Sequence, residues 1–494
     1  MSSLQKALMR DKLPPLSHGS SSALGKRMPG RRRDYSPIPW SQYFGDKKDI
    51  HMNGSTFRVY IKESQVSEEE GPISSEPVPV LVLLHGGGFS ALTWALFAEC
   101  VTSQVKCYVM AIDLRGHGDT HTTDDSDLSA DTLSSDVIAV IDAVLSEKDN
   151  LESHPLILIG HSMGGAVAVH AATKIVSSGY RDSGGMSFGV SDEVMPKDFQ
   201  DGNLPENSLD EVSEHTSPGG VEEDNVQYKY DGAYDTSDQD NEPIKNFKLC
   251  GVAVIDVVEG TAMDALAGMQ SLLRSRPQKF PSLPNAIEWC VRSGQVRNVE
   301  SARVSMPGQI KNASTGQTAT NDVDSLQNKS FDDMSSDINA AAVAPGSRLG
   351  ETQRDDAIKE EEEGEGNDVK SQESFKKPLP CSQQSSVATK CGYEWRIDLA
   401  RTEVFWPGWF QGLSAAFLVL PVPKLLLLAG IDRLDKALTV GQMQGKFQMQ
   451  VLPKCGHAVH EDVPDKVADV LSTFLVRHKF ATPMANFNRT FPAC

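Results

Sequence analysis

The stretch from Leu156 to Gly165 constrains this chain more than any other. Four apolar residues, Leu156, Ile157, Leu158 and Ile159, run into Gly160-His161-Ser162-Met163-Gly164, and an Ala/Val-rich run from Ala166 to Ala172 follows. Gly-x-Ser-x-Gly at such a junction places a serine on a sharp turn between strand and helix. Glycines two residues either side let the backbone pass tightly without a Cβ clash. The turn lifts the hydroxyl clear of the sheet, where it can act as a nucleophile. An ordinary glycine turn of an α/β protein can carry the same five letters; the strand before and the buried helix face after them favour the nucleophile elbow.

Of the 494 residues 39% are apolar and 23% charged, so part of the chain is not expected to build a core. The net charge of −20 is localised. Residues 178–245 hold 17 Asp/Glu against 4 Lys/Arg, a sum of −13, and residues 311–390 hold 15 against 9, a sum of −6, which leaves −1 elsewhere. The acidity belongs to inserts and argues against a nucleic-acid-binding surface. Eight cysteines without Cys-x-x-Cys spacing read as reduced thiols, hence a cytoplasmic and/or nuclear protein. The N-terminus lacks the apolar core of a signal peptide. The most apolar stretch, Ala415 to Gly430, is cut by Pro421, Pro423 and Lys424, so no membrane span is expected.

Residues 1–35 read as a flexible basic tail, with Lys26, Arg27 and Arg31 to Arg33 as solvated charge or an import signal. Residues 36–177 alternate strand and helix: strands over Phe57 to Ile61, Val78 to Leu84 and Lys106 to Ile112, then a helix opened by Ser129 with Leu133, Val137, Val140, Ile141 and Val144 on one face. That alternation implies an α/β fold with a mostly parallel sheet covered by helices on both faces. Residues 178–245 lack the aliphatics to offset the entropy of ordering and read as a disordered acidic insert. Residues 246–310 carry the strand Leu249 to Ile255 and helical patterns at Met263 to Leu273 and Ala286 to Arg292, expected as a helical lid. A second disordered acidic insert is expected over 311–390, with Glu360 to Glu363 at its most acidic. The core resumes over 391–494 with strands at Lys424 to Ala429 and Phe447 to Leu452. A last helix follows, expected to be capped by Asp462 with Pro464 in its first turn.

A serine hydroxyl is a weak nucleophile near neutrality and needs a base, itself oriented by a third group. His457 follows the last strand and precedes the final helix, where the chain order Ser, acid, His puts the base; His460, three residues on, projects toward the start of that helix. Two aspartates end strands between the serine and the histidine, Asp256 and Asp432. Position slightly favours Asp432, and spacing does not decide. The tetrahedral oxyanion needs backbone N–H donors, expected from Met163 after the serine and from Gly87 and Gly88 in the triple-glycine loop after the first long strand. His85 and His117 read as structural residues of their turns. No His/Cys/Asp spacing suggests a metal, and no phosphate loop or dinucleotide fingerprint is present, so no cofactor is expected.

Several segments resemble the protein phosphatase methylesterase family of the α/β-hydrolase superfamily: Asp34 to Phe44, Gly160 to His170, Ile255 to Leu266, Glu300 to Met306, Gly441 to Val451 and Cys455 to Asp462. The resemblance covers roughly residues 30–175, 247–310 and 392–494; both inserts fall outside it. It implies the α/β-hydrolase fold and a serine esterase that demethylates the C-terminal leucine methyl ester of the protein phosphatase 2A catalytic subunit, its partner, through an acyl-enzyme on Ser162. It also implies Asp256 as the triad acid, leaving Asp432 a supporting role. No cofactor, nucleic acid or membrane is implied, and a monomer is expected. A broad-specificity carboxylesterase and a phosphatase-binding scaffold with secondary catalysis are the competing readings. Epoxide and haloalkane hydrolysis are disfavoured, since they need a carboxylate where Ser162 stands.

Overall fold

An eight-stranded sheet in the order β1-β2-β4-β3-β5-β6-β10-β11 organises the protein. The computed structural model describes residues 33–64, 78–147, 154–182, 248–327, 392–430, 434–487 and 489. The strands are β1 (Asp46–Met52), β2 (Ser55–Glu63), β3 (Val80–Leu84), β4 (Tyr108–Ile112), β5 (Leu156–His161), β6 (Leu249–Ile255), β10 (Lys424–Leu428) and β11 (Gln448–Val451). Only the β1–β2 and β2–β4 pairings are antiparallel; every pairing from β4 to β11 is parallel. β3 and β4 are buried along their whole length. Their unbroken Val/Leu/Ile composition is that of a strand covered on both faces.

The helices used below are α1 (Ala95–Gln104), α2 (Ala130–Ser146), α3 (Met163–Asp182), α4 (Glu259–Ser275), α5 (Leu283–Arg292), α6 (Val299–Gln309), α7 (319–327), α8 (Trp406–Phe410), α9 (Leu413–Val419), α10 (Lys436–Met443), α11 (Val459–Asp462) and α12 (Pro464–Arg477). Residues of α2, α3 and α9 form one core against the sheet, and residues of α1 and α12 form another that includes the alternate side chains of the same strands. Ser129 caps α2 by accepting from the Thr132 N–H at 3.3 Å. A third cluster joins Phe89 and Ala458 to α5, α6 and α7. It carries a small antiparallel sheet of β7 (Lys279–Phe280), β9 (Tyr393–Trp395) and β8 (Ile310–Asn312).

The elements expected from the sequence are present, with three corrections. The final helix is not capped by Asp462: Val463 stands at the cap without a side-chain bond, and Asp462 ends the short α11 instead. Structure continues past residue 311, where a disordered insert was expected to begin. β8 and α7 extend to residue 327, because Ile310, Ala319 and Val323 are buried in the third cluster. α3 likewise runs beyond 177, to Asp182. The rest of the two expected inserts, 183–245 and 328–390, and residues 1–32 of the basic tail lie outside the described residues. Among the described residues no helix is long and apolar enough to cross a membrane.

Candidate active site

Ser162 sits between β5 and α3 with φ at +53°, a left-handed conformation that costs a non-glycine residue about 1–2 kcal/mol. Both flanking glycines are needed there. A Cβ on Gly160 would run into the carbonyl of Gly164, and one on Gly164 into the carbonyl of Leu84. The Ser162 N–H donates to the Ile255 carbonyl at 3.0 Å, which ties the turn to the end of β6. The serine therefore stands beside Asp256, the first residue past the end of β6.

Asp256 also has a positive φ, +54°. Its N–H donates to Leu427 O at 2.8 Å, and its Oδ1 accepts from the Ala429 N–H at 2.9 Å, so β10 holds it on two sides. Its Oδ2 lies 2.8 Å from Nδ1 of His457. The carboxylate side chain is 0% exposed and the imidazole 40% exposed. A buried carboxylate facing Nδ1 holds the proton on that nitrogen and leaves Nε2 as the basic atom toward the cleft. Of the two aspartates left open by spacing, Asp256 is the one in contact with His457; Asp432 lies outside the described residues.

The loop carrying His457 is fixed from three directions. His161, the residue before the serine, donates from Nε2 to the His457 carbonyl at 2.8 Å. Asp462 accepts the Gly456 N–H at 2.6 Å and the Arg297 N–H at 2.7 Å. Arg297 in turn donates to the carbonyl of Lys454 at 3.0 Å, a residue with φ +74°. None of these roles carries a sequence signal of its own, since each depends on contacts between segments far apart in the chain. His460 takes no part in the cleft. It is fully buried, its ring centroid 4.1 Å from that of Trp94 and 4.5 Å from that of His161, and burial holds its pKa well below the usual range.

The oxyanion donors divide differently from expectation. Met163 opens α3, where the helix supplies no acceptor for its N–H. Gly87 is beside it: a Cβ there would lie 3.6 Å from Met163 Sδ. Gly88 is not available as a donor, because its N–H is committed to Nε2 of His117 at 2.9 Å. His117 donates from Nδ1 to Arg115 O at 2.8 Å, and burial pushes its pKa down to about 4, so the neutral ring can accept. His85 repeats the device: its Nε2 accepts the Leu114 N–H at 3.0 Å and its Nδ1 donates to Gly86 O at 2.8 Å. The two histidines read as turn residues thus bolt the glycine loop to the loop after β4. Leu399, in a 3-10 turn over Leu399–Phe405, closes over Gly87 and Gly88.

The arrangement sets a serine on a strained turn beside a histidine oriented by a buried carboxylate, a geometry that can serve acyl transfer. Comparison with known proteins agrees. Residues 81–229 and 330–470 match the Alpha/beta hydrolase family. The chain is 42% identical over 504 residues to protein phosphatase methylesterase 1 of Homo sapiens, covering 100% of both chains. It is 42% identical over 507 residues to the Mus musculus protein of that name, again covering 100% of both. With the probable protein phosphatase methylesterase 1 of Caenorhabditis elegans it shares 35% identity over 481 residues, covering 97% of this chain and 86% of that one.

Proposed function

The chain belongs to the protein phosphatase methylesterase family of α/β hydrolases, and from that premise we propose that it removes the methyl ester from the C-terminal leucine of the protein phosphatase 2A catalytic subunit. The observation that carries the reading is the 2.8 Å contact of His457 Nδ1 with Asp256 Oδ2, beside the strained turn of Ser162. Nε2 of His457 takes the Ser162 proton as Oγ attacks the ester carbonyl. The oxyanion settles on the N–H groups of Met163 and Gly87, each such donor being worth about 3 kcal/mol. The C–O bond to the methoxy group breaks, and methanol leaves with the proton from His457. Water then gives a proton to the same nitrogen as it attacks the acyl-enzyme, and His457 returns that proton to Ser162 Oγ as the acyl C–O bond breaks, which frees the leucine carboxylate and the serine.

The five described cysteines are free thiols, in keeping with a cytoplasmic or nuclear setting. The test is methyl release from methylated phosphatase catalytic subunit, together with fluorophosphonate labelling. Wild type is expected to release methanol and take the label, and Ser162→Ala to do neither. Equal release by the two proteins, or a wild type that cleaves p-nitrophenyl acetate but leaves the phosphatase methylated, overturns the reading.

A further inference from the structure

The wall that begins at Leu399 over the glycine loop continues away from Ser162 through named contacts. Gln270 of α4 donates from Nε2 to Ala400 O at 3.1 Å. Trp395, four residues before Leu399, donates from its indole to Pro277 O at 2.8 Å, just past the end of α4. Trp395 packs in an aromatic group with Phe280 and Trp289, at centroid distances of 5.4 and 5.5 Å, and the group joins the cluster that holds Phe89, next to the glycine loop, and Ala458, next to His457. Over the Trp395 ring lies the guanidinium of Arg276, 4.9 Å from its centroid.

Arg276 differs from the other desolvated arginines. Arg58 faces Asp49 and Asp119, and Arg115 faces Asp136, whereas no carboxylate of the described residues pairs with Arg276. Burial lowers its pKa, with only the Cys290 thiol opposing, while that of Arg115 is raised, first by Asp136. Its surroundings are basic. Residues 265–287 contain no Asp or Glu and hold Arg274, Arg276 and Lys279. Glu394, opposite Lys279 in the small sheet, is taken by Lys311 at 3.5 Å. The C-terminal end of α4 favours a cation, which accounts for the exposed Arg274 as well. It does not account for half-burying Arg276 against an aromatic face. A guanidinium stacked on indole keeps its N–H edge free for the bidentate grip of a carboxylate, and a partly dry site strengthens that grip.

We propose that Arg276 on Trp395 is a subsite for a carboxylate side chain of the peptide whose C-terminal ester enters the cleft. The subsite rests on the reading of the substrate as an ester at the end of a protein chain. It makes acidic residues upstream of the ester a determinant of specificity.

The test uses full-length enzyme and synthetic ten-residue peptides ending in leucine methyl ester, each with one glutamate placed in turn along an otherwise neutral sequence, beside its glutamine twin. For one or two placements wild type is expected to prefer glutamate by about tenfold in kcat/KM, carried by KM, as suits a charge-assisted bond. Arg276→Gln is expected to bring the Glu/Gln ratio to about one, and Arg276→Lys, which keeps charge but not the planar fork, to leave an intermediate ratio. Arg274→Gln, at the exposed neighbour, should preserve the wild-type ratio. A wild type indifferent to glutamate at every placement overturns the subsite. So does Arg276→Gln that slows both twins equally and keeps their ratio, or Arg274→Gln that abolishes it as fully. If wild type cleaves none of the peptides yet cleaves p-nitrophenyl acetate, the substrate reading itself fails and the subsite with it.

Discussion

Asp256 holds three partners at once: the Ala429 N–H at Oδ1, His457 at Oδ2 and, through its backbone, Leu427. Asparagine can keep the first and third but presents an amide or a differently charged oxygen to Nδ1, which upsets the tautomer that leaves Nε2 basic. Asp256→Asn is therefore expected to lower kcat by about 10⁴ with the fold retained, the scale seen when a triad carboxylate is neutralised. Asp432→Asn, compared by stopped assays on the same ester, is expected to keep most of the activity; the reverse ranking would overturn the assignment. The glycine loop separates two residues that look alike in sequence. Gly88 has φ +78°, and a Cβ there would sit 2.6 Å from Leu399 Cδ1, while Gly87 has only ordinary contacts at 3.6 Å. Gly88→Ala should cost at least about 1 kcal/mol of stability in chemical denaturation, from strained φ alone. Gly87→Ala should cost little. Adding Leu399→Ala to Gly88→Ala should recover the part due to the clash, not the part due to φ.

The turn Cys455 to Asp462 works as one element, because Asp462 reaches back across it to the Gly456 N–H and sideways to Arg297. Asp462→Ala leaves both N–H groups without their acceptor and lets the His457 loop shift. Since about 1 Å of misplacement can cost 10²-fold, kcat is expected to fall at least tenfold with KM little changed. Asp462→Asn retains one carbonyl oxygen and should fall between; a wild-type kcat in Asp462→Ala would remove the tether from the account. This element also marks the limit of what the sequence makes legible. Ser162 and His457 are readable because a glycine pattern and a place after the last strand are local facts. Asp462 reads as a helix cap for the same local reason, lying two residues before Pro464, yet its side chain is drawn to groups that no local pattern reveals. The exclusion of Gly88 is of the same kind: it needs His117, 29 residues away, to claim its N–H. β1 and the small sheet are also missed. β1 has only Ile50 buried, so no apolar alternation marks it, and β7 and β9 are 2 and 3 residues long, too short for a period to register.

For the molecule as a whole, the buried polar layer behind the cleft makes stability depend on pH in a particular direction. Glu461 is 0% exposed, and burial pushes its pKa up to about 8 from the ordinary 4.5. A raised folded-state pKa means the unfolded chain gives up the proton first. The contribution of this group is complete below pH 4.5, declines as pH rises and is gone above about pH 8. Wild type should lose Tm relative to Glu461→Gln between about pH 5 and pH 8 and run parallel to it above that range. A difference that is flat across the range would show that the carboxyl is ionised in the fold.

The connection from α3 to β6 is the other property that belongs to the whole chain. β5 and β6 are adjacent and parallel, with α3 as the crossover between them. A helix of 20 residues spans about 30 Å, and a return of that length takes about ten extended residues. Residues 183–247 exceed what the crossover needs, and Ser162, Asp256 and His457 all lie outside them. Replacing 183–247 by a Gly/Ser linker of about ten residues is therefore expected to leave kcat/KM on p-nitrophenyl acetate within about twofold of wild type. If the shortened protein folds with an unchanged Tm but loses turnover on the small ester, the segment contributes to the chemistry itself. If turnover on the small ester holds while demethylation of the phosphatase falls, its contribution is to the grip on the protein substrate, which separates the catalytic body of the molecule from the part that chooses its partner.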